Sequence, residues 1–257
     1  MTRTAQLLMF VLLTGTVAAV AQSSAGVPTA ATTPAVKADR AGNPVDEVRQ
    51  ARSWEYGPFV NWGSGVGDRS AYKFLWGGFQ VGKPLTPVLH AGMLSGQFEL
   101  SGNIMPFWQA YTPAPHDQTY TCDFSNGPGP CSLQIGGGTF RGVSLTPVIL
   151  RWNFLTRSRR IQPWFQGAGG LIYTTHKFPP NYLSTQTIAG QTVSMDGGTC
   201  VWNFSPQGGM GVHYFTRSRR SIDLGVNAVH ISSASLGDRN PGVNASVQFQ
   251  VGYTFWK

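Results

Sequence analysis

The last segment of the chain alternates without a break. Val243, Ala245, Val247, Phe249, Val251, Tyr253 and Phe255 fall on one parity, and Asn244, Ser246, Gln248, Gln250 and Thr254 on the other. A period of two sends successive side chains to opposite faces of a β-strand, so this segment reads as a strand with one oily and one polar face. The segment before it repeats the pattern: Ile222, Leu224, Val226 and Ala228 oppose Asp223, Gly225 and Asn227. His230 and Ser232 then continue its oily row. A polar group on such a row costs free energy unless it has partners, so these two residues need a reason.

Strand and turn signals recur from Ala51 to the C-terminus and predict eight strands. Trp54, Tyr56, Pro58, Val60 and Trp62 oppose Glu55, Gly57, Phe59 and Asn61; Phe98, Leu100, Ile104, Pro106 and Trp108 oppose Glu99, Ser101 and Asn103. Residues 140–154 form a strand that is apolar on both faces in its middle. The connections differ in length. Two near-identical basic clusters, Thr-Arg-Ser-Arg-Arg at 156–160 and at 216–220, are short turns. The connections near 111–137 and 176–199 are long and polar. Short turns at one end and long loops at the other are the pattern of an outer-membrane barrel.

Composition decides what else stays open. Charged residues make up 12% of the 257, about half the share of soluble proteins. No apolar run beyond the N-terminus approaches the roughly 20 residues of a spanning helix. A barrel needs none, because half of every strand faces a polar interior. The formal net charge is +8, but the basic residues gather in the two turns rather than in a stripe with interleaved aromatics. Nucleic acid is therefore not an expected partner, and the turns read as solvated, touching anionic lipid headgroups.

Residues 1–21 read as a secretory signal peptide: Arg3, a short apolar core over 7–17, and Ala19-Val20-Ala21 before Gln22. Residues 22–50, rich in Ala, Thr, Pro and Ser, read as a flexible linker, and 51–257 as the barrel. Export and loop asymmetry together favour an all-β, eight-stranded antiparallel barrel in the bacterial outer membrane over a soluble, lectin-like β-domain. Cys122 and Cys131 flank a Gly/Pro-rich loop where a disulfide is open, which leaves Cys200 over. No histidine cluster accompanies them, so neither a metal nor another cofactor is expected.

If the first strand starts in the periplasm, the seventh runs outward. His230 and Ser232 then lie at its outer end, near the headgroups. Residues two apart on a strand point the same way, and an imidazole beside a serine hydroxyl is the minimum for an activated nucleophile. A third group should orient the imidazole, and the nearest candidate is Asn244 across the final hairpin. The other histidines, His90, His116, His176 and His213, read as structural or loop residues, with no serine or acid at a useful offset.

The stretch from His230 to Asn244 resembles the bacterial lipid A 3-O-deacylases, also grouped as acyloxyacyl hydrolases. Members of that family look like eight-stranded barrels with a Ser-His-Glu triad facing lipid near the outer rim. The resemblance implies that His230 is the general base and Ser232 the nucleophile. Asn240 matches a later Asn of the motif. Ser233 stands where the family has the Asn that helps hold the oxyanion, and Asn244 where the triad Glu should be. Simple alternation sends Asn244 inward with Ser246, and an irregular start after Pro241-Gly242 is needed to turn it out. The implied activity is hydrolysis of an acyl ester of the lipid A of lipopolysaccharide, with outer-membrane lipids as partners and a homodimer left open. The rival reading is a non-enzymatic small barrel, structural or ligand-binding, that kept the scaffold without the Glu.

Overall fold

The computed structural model describes residues 42–257 apart from 115, 126, 136, 180–183, 189–190, 196–199 and 235–243. Helix α1 (Pro44–Ala51) leads into β1 (Glu55–Gly65), β2 (Lys73–Pro84) and β3 (Gly96–Tyr111). A hairpin of β4 (His116–Phe124) and β5 (Gly127–Ile135) precedes β6 (Thr139–Phe154) and β7 (Ile161–Phe178). A second hairpin pairs β8 (Ser184–Ile188) with β9 (Gln191–Met195). The chain then runs through β10 (Cys200–Phe204), β11 (Gln207–Arg217), β12 (Arg220–His230) and β13 (Ala245–Trp256).

The main sheet is ordered β10-β7-β11-β12-β13-β1-β2-β3-β6 and closes through β6–β7, every pairing antiparallel. β10 and β11 are two halves of one strand, separated at Ser205-Pro206, so the nine pieces make eight barrel strands. The expected eight-stranded antiparallel barrel is the observed fold. Both extra hairpins lie at one end, and the tight turns, helix α1 and the C-terminal residue at the other.

The oily parity faces outward. Val60, Leu150, Phe165, Leu224 and Phe249 are exposed on the wall, while Asn61, Arg151, Gln166, Asp223 and Gln248 are buried inside. A soluble β-domain would reverse this, so that alternative falls on the direction of one row. The interior divides into two halves. Toward the tight-turn end, the Arg151 guanidinium lies 2.8 Å from Glu55 and 3.2 Å from Glu99. It also packs over the ring of Trp164. Gly211 and Gly225 make room for that ring, since a Cβ on either would press into it. Toward the hairpin end the interior is apolar, built from Phe74, Trp76, Trp108, Phe140, Phe178 and Ile231.

The stretch expected to be a linker to residue 50 is corrected at its end, because residues 44–51 are helical. Asn43 caps the helix by accepting the Val45 N–H at 3.2 Å, Pro44 opens it, and Asp46 and Glu47 fill its first turn. Val45 and Val48, three apart and therefore on one face, pack with Phe215 and Trp256 beneath the barrel. The Asn-Pro-Val-Asp-Glu signal was present in the sequence, but two valines are too little periodicity to reveal a helix. Residues 1–21 and the linker up to residue 41 lie outside the described residues, as do the side chains of Cys122 and Cys131.

Candidate active site

β12 carries the candidate residues, and its pairing explains where they point. On one side it pairs with β11 as far as Gln207↔Val229. The same register continues past Pro206. The His230 N–H donates to the Pro206 carbonyl at 2.9 Å, and Ser232 and Phe204 exchange both backbone bonds at 2.7 and 3.0 Å. Proline has no N–H to give, so it interrupts its own strand, yet its carbonyl still holds β12 in line. On the other side the register runs unshifted from Arg220↔Phe255 to His230↔Ala245. The next pair follows, with the Ile231 N–H donating to the Asn244 carbonyl at 2.9 Å.

Alternation therefore survives to the end of the strand. Leu224, Val226 and Ala228 face out, and His230 and Ser232 follow on the same row, each half-buried. Val229, Ile231 and Ser233 occupy the inner row and are buried. The structure brings His230 and Ser232 to one face at strand spacing, with Cα atoms about 7 Å apart. Beyond Ser232 the chain turns sharply. Ala234 takes a left-handed φ of 50°, and its N–H donates to Ser232 Oγ at 3.1 Å.

Beside His230 the wall is hollow. A shallow depression of about 320 Å³ is lined by Ala168, Pro206, Gly208, Ala228 and Ala245. Gly167, Gly208 and Ala228 are direct cross-strand neighbours, so three adjacent strands present almost no side chain there. The imidazole thus lines a shallow apolar depression in the wall.

The supporting residues fall elsewhere. Asn244 is buried opposite Ile231, and its Nδ2 donates to the Ile231 carbonyl at 3.1 Å. The reach to His230 expected of it is not made. The unshifted register keeps Asn244 on the inner parity with Ser246, and no bulge turns it out. What it grips instead is the peptide between His230 and Ser232. Ser233, expected to help hold an oxyanion, has its side chain fully buried on the inner row, away from lipid. Asn240 lies outside the described residues. No hydrogen bond links the His230 imidazole to Ser232 or to Asn244 among the described residues. Such bonds commonly tighten only when substrate is in place.

One cluster escaped the sequence reading. His213 and Asp223 are direct partners across β11 and β12, with Nδ1 2.7 Å from the carboxylate. Ser221 donates to the same Asp223 oxygen at 2.8 Å, and Thr254 donates to the other. Counting outward from the short turn at 216–220 would have paired them. The cluster is sealed in the barrel, where no lipid reaches it.

The model of the family described as lipid A 3-O-deacylase (PagL) matches residues 99–254, more than half of the chain. Among solved structures, the outer membrane enzyme PagL is similar at 13% identity over 77% of this chain and 98% of that one, with a TM-score of 0.41. Neisserial surface protein A is similar at 11% identity over 79% of this chain and 96% of that one, with a TM-score of 0.43. No curated protein sequence matches the chain.

Proposed function

Because the chain belongs to the lipid A 3-O-deacylase (PagL) family, we propose that Ser232 and His230 are the nucleophile and general base with which it cleaves an acyl ester of lipid A. The protein is an outer-membrane β-barrel and an ester hydrolase of the lipid A deacylase type. The observation that carries the assignment of residues is the shared outward row of His230 and Ser232 beside an apolar hollow.

The steps follow from that placement. The substrate arrives by lateral diffusion in the outer leaflet, with its scissile chain against the wall at Ala228 and Gly208. Ser232 Oγ attacks the ester carbonyl carbon while His230 takes its proton. The tetrahedral oxyanion needs donors at the place where charge develops. The Ser233 side chain, buried on the inner row, does not supply one, so the donor is sought in the backbone of the outer rim. Collapse breaks the ester C–O bond, and the imidazolium returns the proton to the departing sugar oxygen. Water, deprotonated by His230, then attacks the acyl-serine and frees the fatty acid.

Asn244 has a different part from a triad acid. By gripping the Ile231 carbonyl it holds the peptide that spaces the imidazole from the hydroxyl, and so acts as a positioning residue. With no carboxylate beside it among the described residues, the imidazolium is stabilised less, and the rate should be lower than a full triad allows. Every residue of the site as proposed comes from one chain, so the homodimer left open by the sequence adds nothing to it.

Mass spectrometry of lipid A from cells producing the wild-type chain or Ser232→Ala tests the reading, with folded barrel present at equal level. The wild type is expected to remove one acyl chain and the variant none. Identical acylation in both would return the protein to the non-enzymatic reading.

A further inference from the structure

The connection between β2 and β3 is the part of the turn end that the proposed chemistry leaves unused. It spans residues 85–95, whereas β11 and β12 are joined by a tight turn at the same end. It is an ordered piece of chain. Leu89 and Gly96 exchange two backbone bonds at 2.8 and 3.0 Å. The Phe98 N–H donates to Thr86 Oγ1 at 2.9 Å, and Gln97 Nε2 to the Thr86 carbonyl at 3.0 Å. Ser95 Oγ accepts from Ala91 N–H at 2.9 Å and donates to the Gly92 carbonyl at 2.8 Å.

This well-held loop presents large apolar side chains to the outside. Met93 is 96% exposed and Leu94 64%, and Leu85 and Leu89 are exposed as well. Two contacts place its tip. Trp152 is on the outward row of β6, and its Nε1 donates to the Leu94 carbonyl at 3.2 Å. The Leu155 N–H, at the end of the same strand, donates to the Ser95 carbonyl at 2.7 Å. The tip therefore lies against the outside of the barrel, level with the indole of Trp152, and not under its mouth. On the neighbouring strand ends, Trp54 is exposed and Lys83 Nζ sits 4.9 Å over its ring. Indoles and a lysine near the strand ends of a lipid-facing wall mark the boundary between hydrocarbon and headgroups.

We propose that the β2–β3 connection is a membrane anchor, with Met93 and Leu94 inserted among the phospholipids of the periplasmic leaflet beside Trp152. Its occupant is lipid because the loop is continuous with the lipid-facing wall and rests on that wall's own aromatic belt. A periplasmic protein partner would need the same side chains turned away from the barrel. The anchor hangs from β2 and β3, and β3 stands four strands from β12 in a barrel of eight. It holds the barrel from the opposite side and the opposite end to His230.

Replacing Met93 or Leu94 by the photoreactive residue benzoylphenylalanine tests this in the full-length barrel, in vesicles of phosphatidylethanolamine and phosphatidylglycerol. Illumination is expected to add a phospholipid mass at position 93 and at position 94. The adduct should form as readily as at Phe249, on the outward row in the middle of the wall, and far more readily than at Arg157 in the β6–β7 turn. Absence of a lipid adduct at 93 and 94 while Phe249 gives one would overturn the anchor. So would the same variants in cells crosslinking to a periplasmic protein instead of to lipid.

Discussion

Two histidines on neighbouring strands of this barrel have opposite endowments. His213 on β11 has a carboxylate at 2.7 Å, with a serine and a threonine hydroxyl on that same carboxylate. His230 on β12 has no acid beside it among the described residues, only a serine two positions on. By side-chain inventory His213 is the better-equipped base. Yet His213 is closed inside the barrel, whereas His230 stands on the wall beside a hollow open to lipid. An ester in a bilayer can meet only the second. On the proposed assignment, access to the substrate, not completeness of the hydrogen-bond set, separates the reactive histidine from the structural one.

Substitution should split the pair cleanly. His230→Ala is expected to cut fatty-acid release from lipid A in vesicles by roughly 10²–10⁴-fold, the usual contribution of a general base. His213→Ala, corrected for the amount of folded barrel, should leave the rate per molecule nearly unchanged. Equal losses in the two variants would mean that the buried cluster reaches the chemistry after all. Stability should show the reverse order. Asp223→Ala strips His213, Ser221 and Thr254 of their shared partner and should lower unfolding free energy in urea by about 3 kcal/mol or more. His230→Ala, on the outward row, should stay within about 0.5 kcal/mol of wild type.

Asn244 sharpens the same contrast with a smaller effect. Asn244→Ala removes its bond to the Ile231 carbonyl and should cost about 1 kcal/mol, with a modest fall in rate. Asn244→Glu, which puts back the acid type of the triad, should not accelerate hydrolysis, because the side chain is on the inner parity. A faster Asn244→Glu enzyme would show that the residue turns toward His230 when substrate is bound.

The smallest effect lies at the turn end, away from both histidines. The Ser218 hydroxyl and the Arg219 guanidinium hold the Glu47 carboxyl below its ordinary value of 4.5. A depressed carboxyl stabilises the docked helix above its unfolded value and loses that contribution as pH falls through the folded one. Protection of α1 from proteolysis should therefore weaken slightly below about pH 4.5, and Glu47→Gln should flatten that slope. The pair is exposed, so a large change would contradict the contact as described.

Much of the barrel was legible because its strands are long and one-sided. The outward row from Leu224 to Ser232 follows from parity alone, and so does the inner position of Asn244 under simple alternation. The possibility of a bulge after Pro241-Gly242 kept Asn244 open, since one inserted residue reverses a strand. Helix α1 was missed because two valines do not make a period. The His213–Asp223 pair was missed because partners ten residues apart meet only once the hairpin register is counted from its turn.

By itself the sequence determined which residues share a face, for a period of two is written into the order of the side chains. It placed His230 with Ser232, and Asp223 with Asn227, before any coordinates. Only the closed sheet decided which face meets lipid and which residue of the next strand lies opposite. Closure gives every strand an inside, and pairing register, set by distant turns, gives every side chain its neighbours. Those two facts put one histidine on the wall and sealed the other within it.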